Sequence, residues 1–395
     1  MVLEGSRSSF GVFFKSITDE FDLTRAATSS ISSLFMILCI FFTFAGGWAL
    51  DKYGPRLVFS LMGFFTGLSL LLTSIGGSIF HIYLSYSVLF AIGTASFFTV
   101  INATVSKWFD KNRGIALGIA NTGSRLGEAT VAPVAAFLIR DLGWRNAYRI
   151  IGGVSWLIII PLSRLMKRSP QDIESIAEGS KTNNIDQEKI SKIEDLKPTG
   201  LTLSQALKTR NYWYFTPVWL FSGFGQALVF THIVPYATDM NISPINAATI
   251  LTIIGGISIP SGVLVGKIID TYGAKIPLIS FILLLGGVIL SLTWARELWN
   301  FYLIAAFIGP SCSGMGVSMS TLTVEAFGKR RLGTIMSSYD AVFSVGFAIG
   351  AFAGGLVHDI YSNYNLAFLI SAIGLAMSAL LIVRFRPKLP PQYRA

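Results

Sequence analysis

Long apolar segments constrain this chain more than any other feature. Eleven of them follow one another in the sequence, each near the ~20 residues that a helix needs to cross a bilayer. Charged residues are only 13% of the 395 and hydrophobic residues are 52%, whereas soluble domains are ~25% charged. The sequence therefore predicts an all-α, polytopic membrane protein. The predicted spans cover residues 29–50, 57–76, 80–105, 114–138, 145–166, 212–236, 244–268, 276–294, 299–322, 334–357 and 365–384.

Residues 8–21, SSFGVFFKSITDEF, precede these spans. The stretch has the pattern of the end of a helix followed by its exit loop, and it is too short to cross the bilayer alone. Two interpretations stay open. The chain has either eleven spans and a separate N-terminal segment, or twelve spans of which the first is truncated. An even number would place both termini on the same side of the membrane.

The basic residues gather at one end of the predicted spans. Of the 31 Lys and Arg, 23 fall in alternate loops or at adjoining helix ends, beginning with the loop DKYGPR. Because positive residues concentrate on the cytoplasmic side, we expect the central linker and the C-terminus to be cytoplasmic, in a protein of the plasma membrane. The same distribution accounts for the net charge of +10, so no nucleic-acid partner is expected.

The one long polar stretch divides the chain into halves. Residues 167–211 are mixed in charge and poor in aromatics, as flexible linkers are. Thr202 is placed to cap a short helix on the membrane surface, with Leu203, Ala206 and Leu207 on one face. The predicted domains are an N-terminal bundle at 1–166, the linker at 167–211, a C-terminal bundle at 212–384 and a tail at 385–395.

The two halves repeat each other. GWALDKYGPR returns as GKIIDTYGAK at an offset of 219 residues, and FDKNRG returns as FGKRRL at an offset of 218. Parallel repeats of this kind are typical of two-domain secondary transporters. In the first motif, Gly47 and Gly266 allow two helices to approach closely. Gly54 and Gly273 permit a turn at positive φ.

Two charges fall near the middle of the predicted span at 114–138. Arg125 lies ~17 Å from the start of the span at 1.5 Å per residue, and Glu128 follows three residues later on the same face. Ionisable residues at this depth are functional candidates. We therefore predict that Arg125 binds an anionic substrate and that Glu128 titrates as its partner or carries a proton. The alternative is a structural ion pair that holds helices together.

Three further residues are candidates for handling substrate or protons. Asp340, with Tyr339, lies one and a half to two turns into the span at 334–357, where it either takes part in transport or pairs with a basic residue of a gate. His232 titrates near neutral pH, so it either couples protons or makes an ordinary hydrogen bond. The sequence has no phosphate loop, paired metal-ligand motif or nucleophile elbow. We therefore expect no enzyme activity, cofactor or metal.

The motif G-x-x-x-D-K/R-x-G-x-R resembles the signature loop of the major facilitator superfamily. The stretches SFGVFFK, NRGIALGIANTGS, LGWRNAY and TLSQALKTRNYW are similar to its monocarboxylate-transporter-like and oxalate/formate-antiporter-like branch. The resemblance implies two pseudo-symmetric six-helix bundles around a central cavity, working by alternating access. It implies a monomer that carries a small organic anion with proton coupling or exchange. Alternatives are an exporter of a less polar solute and a non-transporting sensor.

The resemblance also assigns roles to particular residues. Lys15 matches the final Lys of GVFFK, which is implicated in substrate and proton handling in that branch, although a Lys near a helix end also snorkels to the interface. The family motif implies that a cytoplasmic charge network holds the halves together. Its members would be Asp51, Lys52, Arg56, Arg113 and Asp270.

The chain also departs from the branch. Carriers of this type often have an Arg eight residues before the second loop Asp, and monocarboxylate transporters have an Asp four residues earlier. Gly262 and Ser258 stand at these positions. A simple oxalate or lactate specificity is therefore not expected. We expect instead a substrate site that is shifted towards the N-terminal half.

Overall fold

The computed structural model describes residues 1–167 and 199–386, which are almost entirely helical. Most of the predicted linker (168–198) and the tail beyond residue 386 lie outside the described residues. The N-terminal half comprises α1 (Val2–Ser8), α2 (Phe10–Glu20), α3 (Arg25–Tyr53), α4 (Pro55–Ile75), α5 (Ile79–Ile82), α6 (Phe90–Thr94), α7 (Phe97–Trp108), α8 (Arg113–Leu142) and α9 (Trp144–Ser163). The C-terminal half comprises α10 (Leu203–Leu207), α11 (Arg210–Asp239), α12 (Pro244–Tyr272), α13 (Lys275–Ser291), α14 (Leu298–Phe327), α15 (Leu332–Tyr361) and α16 (Asn365–Arg384).

Ten helical segments in the described part of the chain are long and apolar enough to cross a membrane. They coincide with ten of the eleven spans predicted from the sequence. The eleventh, at 114–138, is the 30-residue helix α8, whose apolar character is reduced by Arg125 and Glu128. The all-α, polytopic architecture is therefore confirmed.

The N-terminal segment differs from the sequence-based expectation. Residues 8–21 were expected to hold a helix end and an exit loop, but α2 continues to Glu20 and α1 extends the helical region back to Val2. The reason is packing. Phe10, Phe13 and Ile17 recur on one face and are buried in the N-terminal bundle, where the ring of Phe13 stacks on Tyr148 at 3.8 Å between centroids.

One predicted span is not a uniform α-helix. Between α5 and α6 the backbone forms a π-helical turn from Tyr83 to Leu89, a feature that widens the helix locally and often accompanies function. Here it turns Tyr86 into the bundle, where its ring lies 4.7 Å from that of Phe10.

Each half has its own apolar core. In the N-terminal half, the core includes Phe35, Tyr86 and Tyr148. In the C-terminal half, Tyr339 stacks between Tyr212 and Trp219, with ring centroids 4.7 Å and 5.5 Å away. The short helix predicted after Thr202 is present as α10 and begins with a capping box between Thr202 and Gln205.

The halves meet through glycines near the end that carries the repeated loops. We call this end, which holds the loops at 52–56, 109–112, 272–275 and 328–331, the motif end. A Cβ on Gly266 or Gly114 would overlap the backbone of the other residue, and a Cβ on Gly118 would overlap that of Gly262. Helices α8 and α12 are therefore in backbone contact across the two halves.

The conformations predicted for the motif glycines are confirmed. Gly54 and Gly273 have φ values of 85° and 79°, which L residues with a side chain rarely adopt. A Cβ on Gly47 would overlap Ser337 and the carbonyl of Gly333 on α15. The repeat therefore encodes one packing arrangement twice, α3 against α15 and α8 against α12.

Two glycine substitutions on α12 should have opposite effects on stability. Gly266→Ala forces a methyl group into the backbone of α8 and should destabilise the protein by about 1–3 kcal/mol. Gly256→Ala adds a methyl where nothing lies within 4 Å and should stabilise the helix by up to about 1 kcal/mol. Thermal unfolding of the two purified variants measures the difference. A Gly266→Ala variant as stable as Gly256→Ala would contradict this packing.

Candidate functional site

Asp51 closes the motif end from the N-terminal half. Its carboxylate is buried and accepts hydrogen bonds from the backbone N–H of Gly333 at 3.1 Å and of Thr334 at 2.7 Å, and from the Thr334 hydroxyl at 2.8 Å. These groups form the N-terminus of α15, where the helix dipole favours an anion. Lys107 donates to the same carboxylate at 3.1 Å, so the buried charge is both paired and hydrogen-bonded.

Asp270 makes the symmetry-related contact from the C-terminal half. Its two carboxylate oxygens accept from the backbone N–H of Gly114 at 2.7 Å and of Ile115 at 3.0 Å. These donors belong to the first turn of α8, whose N–H groups have no partner within the helix. Each half therefore caps a helix of the other half.

A third contact joins the second pair of repeated loops. Asp110 binds Lys329 of the other half at 2.8 Å and Arg113 at 2.7 Å. Partial burial would raise the pKa of the Asp110 carboxyl, but the hydrogen bond from Lys329 and the charge of Arg113 outweigh it and lower the pKa. The contact contributes its full stabilisation when the pH is above the ordinary pKa of an aspartate carboxyl. That stabilisation is lost as the pH falls through the lowered pKa of Asp110. The contact is therefore ionised at neutral pH.

The remaining predicted gate residues take less part in these contacts. Lys52 is exposed, with its ammonium 4.8 Å from the ring centroid of Trp48, and Arg56 is exposed on the first turn of α4. Arg113 lies in the network through Asp110. Thus Asp51 and Asp270 hold the halves together directly, Arg113 does so through a shared partner, and Lys52 and Arg56 face outwards.

The predicted intramembrane pair is formed. Arg125 Nη1 lies 3.1 Å from Glu128 Oε2 on α8, and the side chains are only 26% and 33% exposed. The pair is 12 residues into a 30-residue helix, so it lies ~18 Å from the motif end at 1.5 Å per residue. It therefore sits near the middle of the membrane thickness.

A second pair on α1 lies beside the first. Arg7 Nη1 is 3.7 Å from Glu4 Oε2, and the guanidinium also lies 5.8 Å from the ring centroid of Phe35. A Cβ on Gly5 would overlap the carbonyl of Gly127 on α8, so the two helices touch between the pairs. Glu4 consequently interacts electrostatically with both Arg125 and Glu128.

The C-terminal half contributes a carboxyl group to the same region. Asp340 on α15 accepts a short hydrogen bond from the hydroxyl of Thr99 on α7, and its charge interacts with that of Arg7. We name Glu4, Arg7, Arg125, Glu128 and Asp340 the central charge cluster. It joins two Arg–Glu pairs of one half to an acid of the other.

The other predicted candidates lie outside the central charge cluster. Lys15 is exposed on α2, eleven residues or ~16 Å along the helix from Glu4. His232 is buried with Nε2 2.8 Å from the carbonyl of Ala351, which is the hydrogen-bonded role weighed above. Tyr339 is fully buried, and its hydroxyl donates to the carbonyl of Tyr212 at 3.2 Å. The structure thus brings Arg125, Glu128 and Asp340 into one region, without these three.

Several contributing residues were missed by reasoning from the sequence. Glu4 and Arg7 stand before the first predicted span, so they read as an ordinary charged terminus. Thr99 and Lys107 carry no motif of their own. Only the repeat offered a signal for Lys329, because it is the counterpart of Lys111.

The departure at Gly262 has a structural counterpart. Gly262 and Gly118 are in backbone contact, and a Cβ on Gly262 would lie 3.2 Å from the carbonyl oxygen of Gly118, so a larger residue at position 262 would crowd the packing of α8 on α12. Ser258 donates its hydroxyl to the carbonyl of Ile254 at 2.6 Å and accepts from Ser313 through its own carbonyl at 3.1 Å. The two positions at which the related branch has charged residues, 258 and 262, therefore serve in contacts between helices in this chain.

Two repeated helical bundles, joined by exchanged helix caps and enclosing charges at mid-membrane depth, define a two-domain membrane transporter. The sequence model of the Major Facilitator Superfamily matches residues 1–319 and 269–395. The chain belongs to this superfamily, whose members are transporters and not enzymes.

Relatives and solved structures agree with this placement. The chain is 26% identical to monocarboxylate transporter 13 of Bos taurus over 96% of this chain and 85% of that protein. It is 24% identical to the MFS-type transporter YcxA of Bacillus subtilis over 95% and 90%. The fold matches the proton:xylose symporter XylE with a TM-score of 0.76, at 17% identity over 98% and 94% of the chains. It matches the Escherichia coli fucose:proton symporter FucP with a TM-score of 0.75, at 15% identity over 98% and 96%.

The Asp51 cap should contribute strongly to the stability of this arrangement. Asp51→Asn removes the charge from a buried, paired position and should destabilise the protein by about 3 kcal/mol. Lys52→Gln, the neighbouring substitution on an exposed side chain, should cost less than about 1 kcal/mol. Thermal unfolding in detergent compares the two. Equal losses would show that the cap does not hold the halves together.

Proposed function

We propose that this protein carries a small organic anion, of the monocarboxylate class, across the membrane together with a proton. The single observation that carries the proposal is the Arg125–Glu128 pair at mid-membrane depth, next to the second pair of Arg7 and Glu4. The similarity to monocarboxylate transporters supports the substrate class. A guanidinium group binds carboxylates well because its N–H groups match their geometry.

The pairing suggests how proton and anion are coupled. While Glu128 is ionised, it occupies the guanidinium of Arg125 and competes with a substrate anion. Protonation of Glu128 removes this competition, and the substrate carboxylate then takes its place on Arg125. One proton and one monoanion enter the site together, so the charge of the site is the same before and after binding. Release in the reverse order returns Arg125 to Glu128.

The contacts at the motif end suggest the conformation of the transport cycle. With both aspartate caps in place the motif end is closed, so access to the central charge cluster would be from the opposite end. The distribution of Lys and Arg supports a cytoplasmic motif end. We therefore propose an outward-facing, plasma-membrane carrier with the linker and C-terminus in the cytoplasm, divided at 1–166, 167–211, 212–384 and 385–395. Alternating access would require both caps to break.

Roles for Lys15, His232 and Tyr339 in transport stay predictions. Lys15 is exposed on α2, outside the central charge cluster. His232 and Tyr339 are buried with their polar atoms bonded to carbonyls. The proposed mechanism does not use these three residues.

Removal of the Arg125 charge should impair substrate binding. A screen of small monocarboxylates for uptake into proteoliposomes first identifies one that the unmodified protein carries. Arg125→Leu should lower kcat/KM for uptake of that carboxylate at least about tenfold, because a hydrogen bond to a charged group contributes about 1.5–3 kcal/mol. Arg140→Gln is the matched control, since Arg140 is on the same helix, 70% exposed and paired with its neighbour Asp141. Uptake that is unchanged in Arg125→Leu would exclude this site.

A neutral Glu128 should separate anion movement from the proton gradient. Glu128→Gln imitates the protonated carboxyl, so accumulation driven by an imposed pH gradient should be lost while exchange of labelled for unlabelled substrate persists. Asp141→Asn, an exposed acid of the same helix, should keep both activities. Accumulation by Glu128→Gln at the rate of the unmodified protein would contradict proton transfer through Glu128.

A further inference from the structure

A basic cavity opens at the motif end of the C-terminal half, away from the central charge cluster. Its volume is about 640 Å³, and it lies where α11, α13 and α16 meet. Four of its lining residues are cations, and no acidic side chain lines it within the described part of the chain. These cations are Arg210, Lys275, Arg384 and Arg386.

The helix termini around this cavity favour an anion. Helices α11 and α13 begin at its wall with Arg210 and Lys275, so their free N–H groups and positive dipole ends are close by. Helix α16 ends there, and its carbonyl groups would repel an anion. Lys275 Nζ donates to the carbonyl of Val383 at 2.8 Å, and Asn211 donates to that of Arg386 at 2.7 Å. The chain thus neutralises the unfavourable carbonyls with its own donors.

The surroundings of the cavity distinguish a lipid from a soluble anion. Its outer edge adjoins large apolar side chains that are strongly exposed, Ile276 at 67%, Leu380 at 70% and Val383 at 59%. An acyl chain can lie along such a surface, while the headgroup phosphate reaches the cations. Basic pockets between membrane helices bind anionic headgroups in this way.

We propose that this cavity is a binding site for the headgroup of an anionic phospholipid. Tyr214, which also lines the cavity, supplies a further hydrogen-bonding group for the phosphate or for a glycerol headgroup. Its lining shares no residue with the central charge cluster, so the proposal does not depend on which solute is carried.

Lipid titration of the full-length protein in detergent tests the proposal. Native mass spectrometry would count bound dioctanoyl phosphatidylglycerol, with dioctanoyl phosphatidylcholine and inorganic phosphate in separate titrations. Phosphatidylglycerol should bind more tightly than either. Arg384→Gln/Arg386→Gln should weaken its binding about 30-fold, since each charge near a lipid surface contributes about fivefold. This variant keeps Lys275 and Asn211, which donate to the carbonyls of Val383 and Arg386.

A matched control removes two positive charges at the motif end from residues outside the cavity. Lys208 and Lys267 are exposed and do not line the cavity, so Lys208→Gln/Lys267→Gln should bind phosphatidylglycerol like the unmodified protein. If both double variants bound phosphatidylglycerol equally weakly, the loss would come from general surface charge, and the proposed site would be wrong. Phosphate binding as tight as that of phosphatidylglycerol would overturn the lipid assignment. Thermal unfolding checks that both variants are folded.

Discussion

The structure depends on two carboxylates, the buried Asp51 and the exposed Asp270, that cap helices across the boundary between the halves. Asp51 lies in the last turn of α3 in one half and binds the N-terminus of α15 in the other. Asp270, in the last turn of α12, binds the N-terminus of α8 in the opposite direction. Such caps act only within hydrogen-bonding distance, so they require the close backbone approach that the motif glycines allow. The hydrogen bonds of the two aspartate caps and the glycine contacts between the helices at the motif end therefore form and break together.

The position of the central charge cluster follows from this packing. The contact between Gly118 and Gly262 disfavours a larger side chain at position 262 of α12. Positive charge is instead placed on α1 and α8, at Arg7 and Arg125. Both arginines have a glutamate of opposite charge within 4 Å, at a depth where an unpaired charge is costly.

Much of the fold was readable from the sequence, and less of the site. Apolar segments gave the spans because the bilayer fixes their length, and the internal repeat located both caps and both turns at positive φ. Arg125 and Glu128 were predictable because charges are conspicuous within an apolar helix. Glu4 and Arg7 were not, since only the packing of α1 on α8 brings them to mid-membrane depth. Thr99 is an ordinary residue in sequence, and only its position opposite Asp340 reveals a contact.

Helix α8 carries both a capped terminus and the paired charges of Arg125 and Glu128. These features are separated by 12 residues of one continuous helix. Any rotation that pulls Gly114 from Asp270 must also displace the guanidinium of Arg125. Breaking the cap at the N-terminus of α8 would therefore move the Arg125–Glu128 pair directly, because both belong to the same helix.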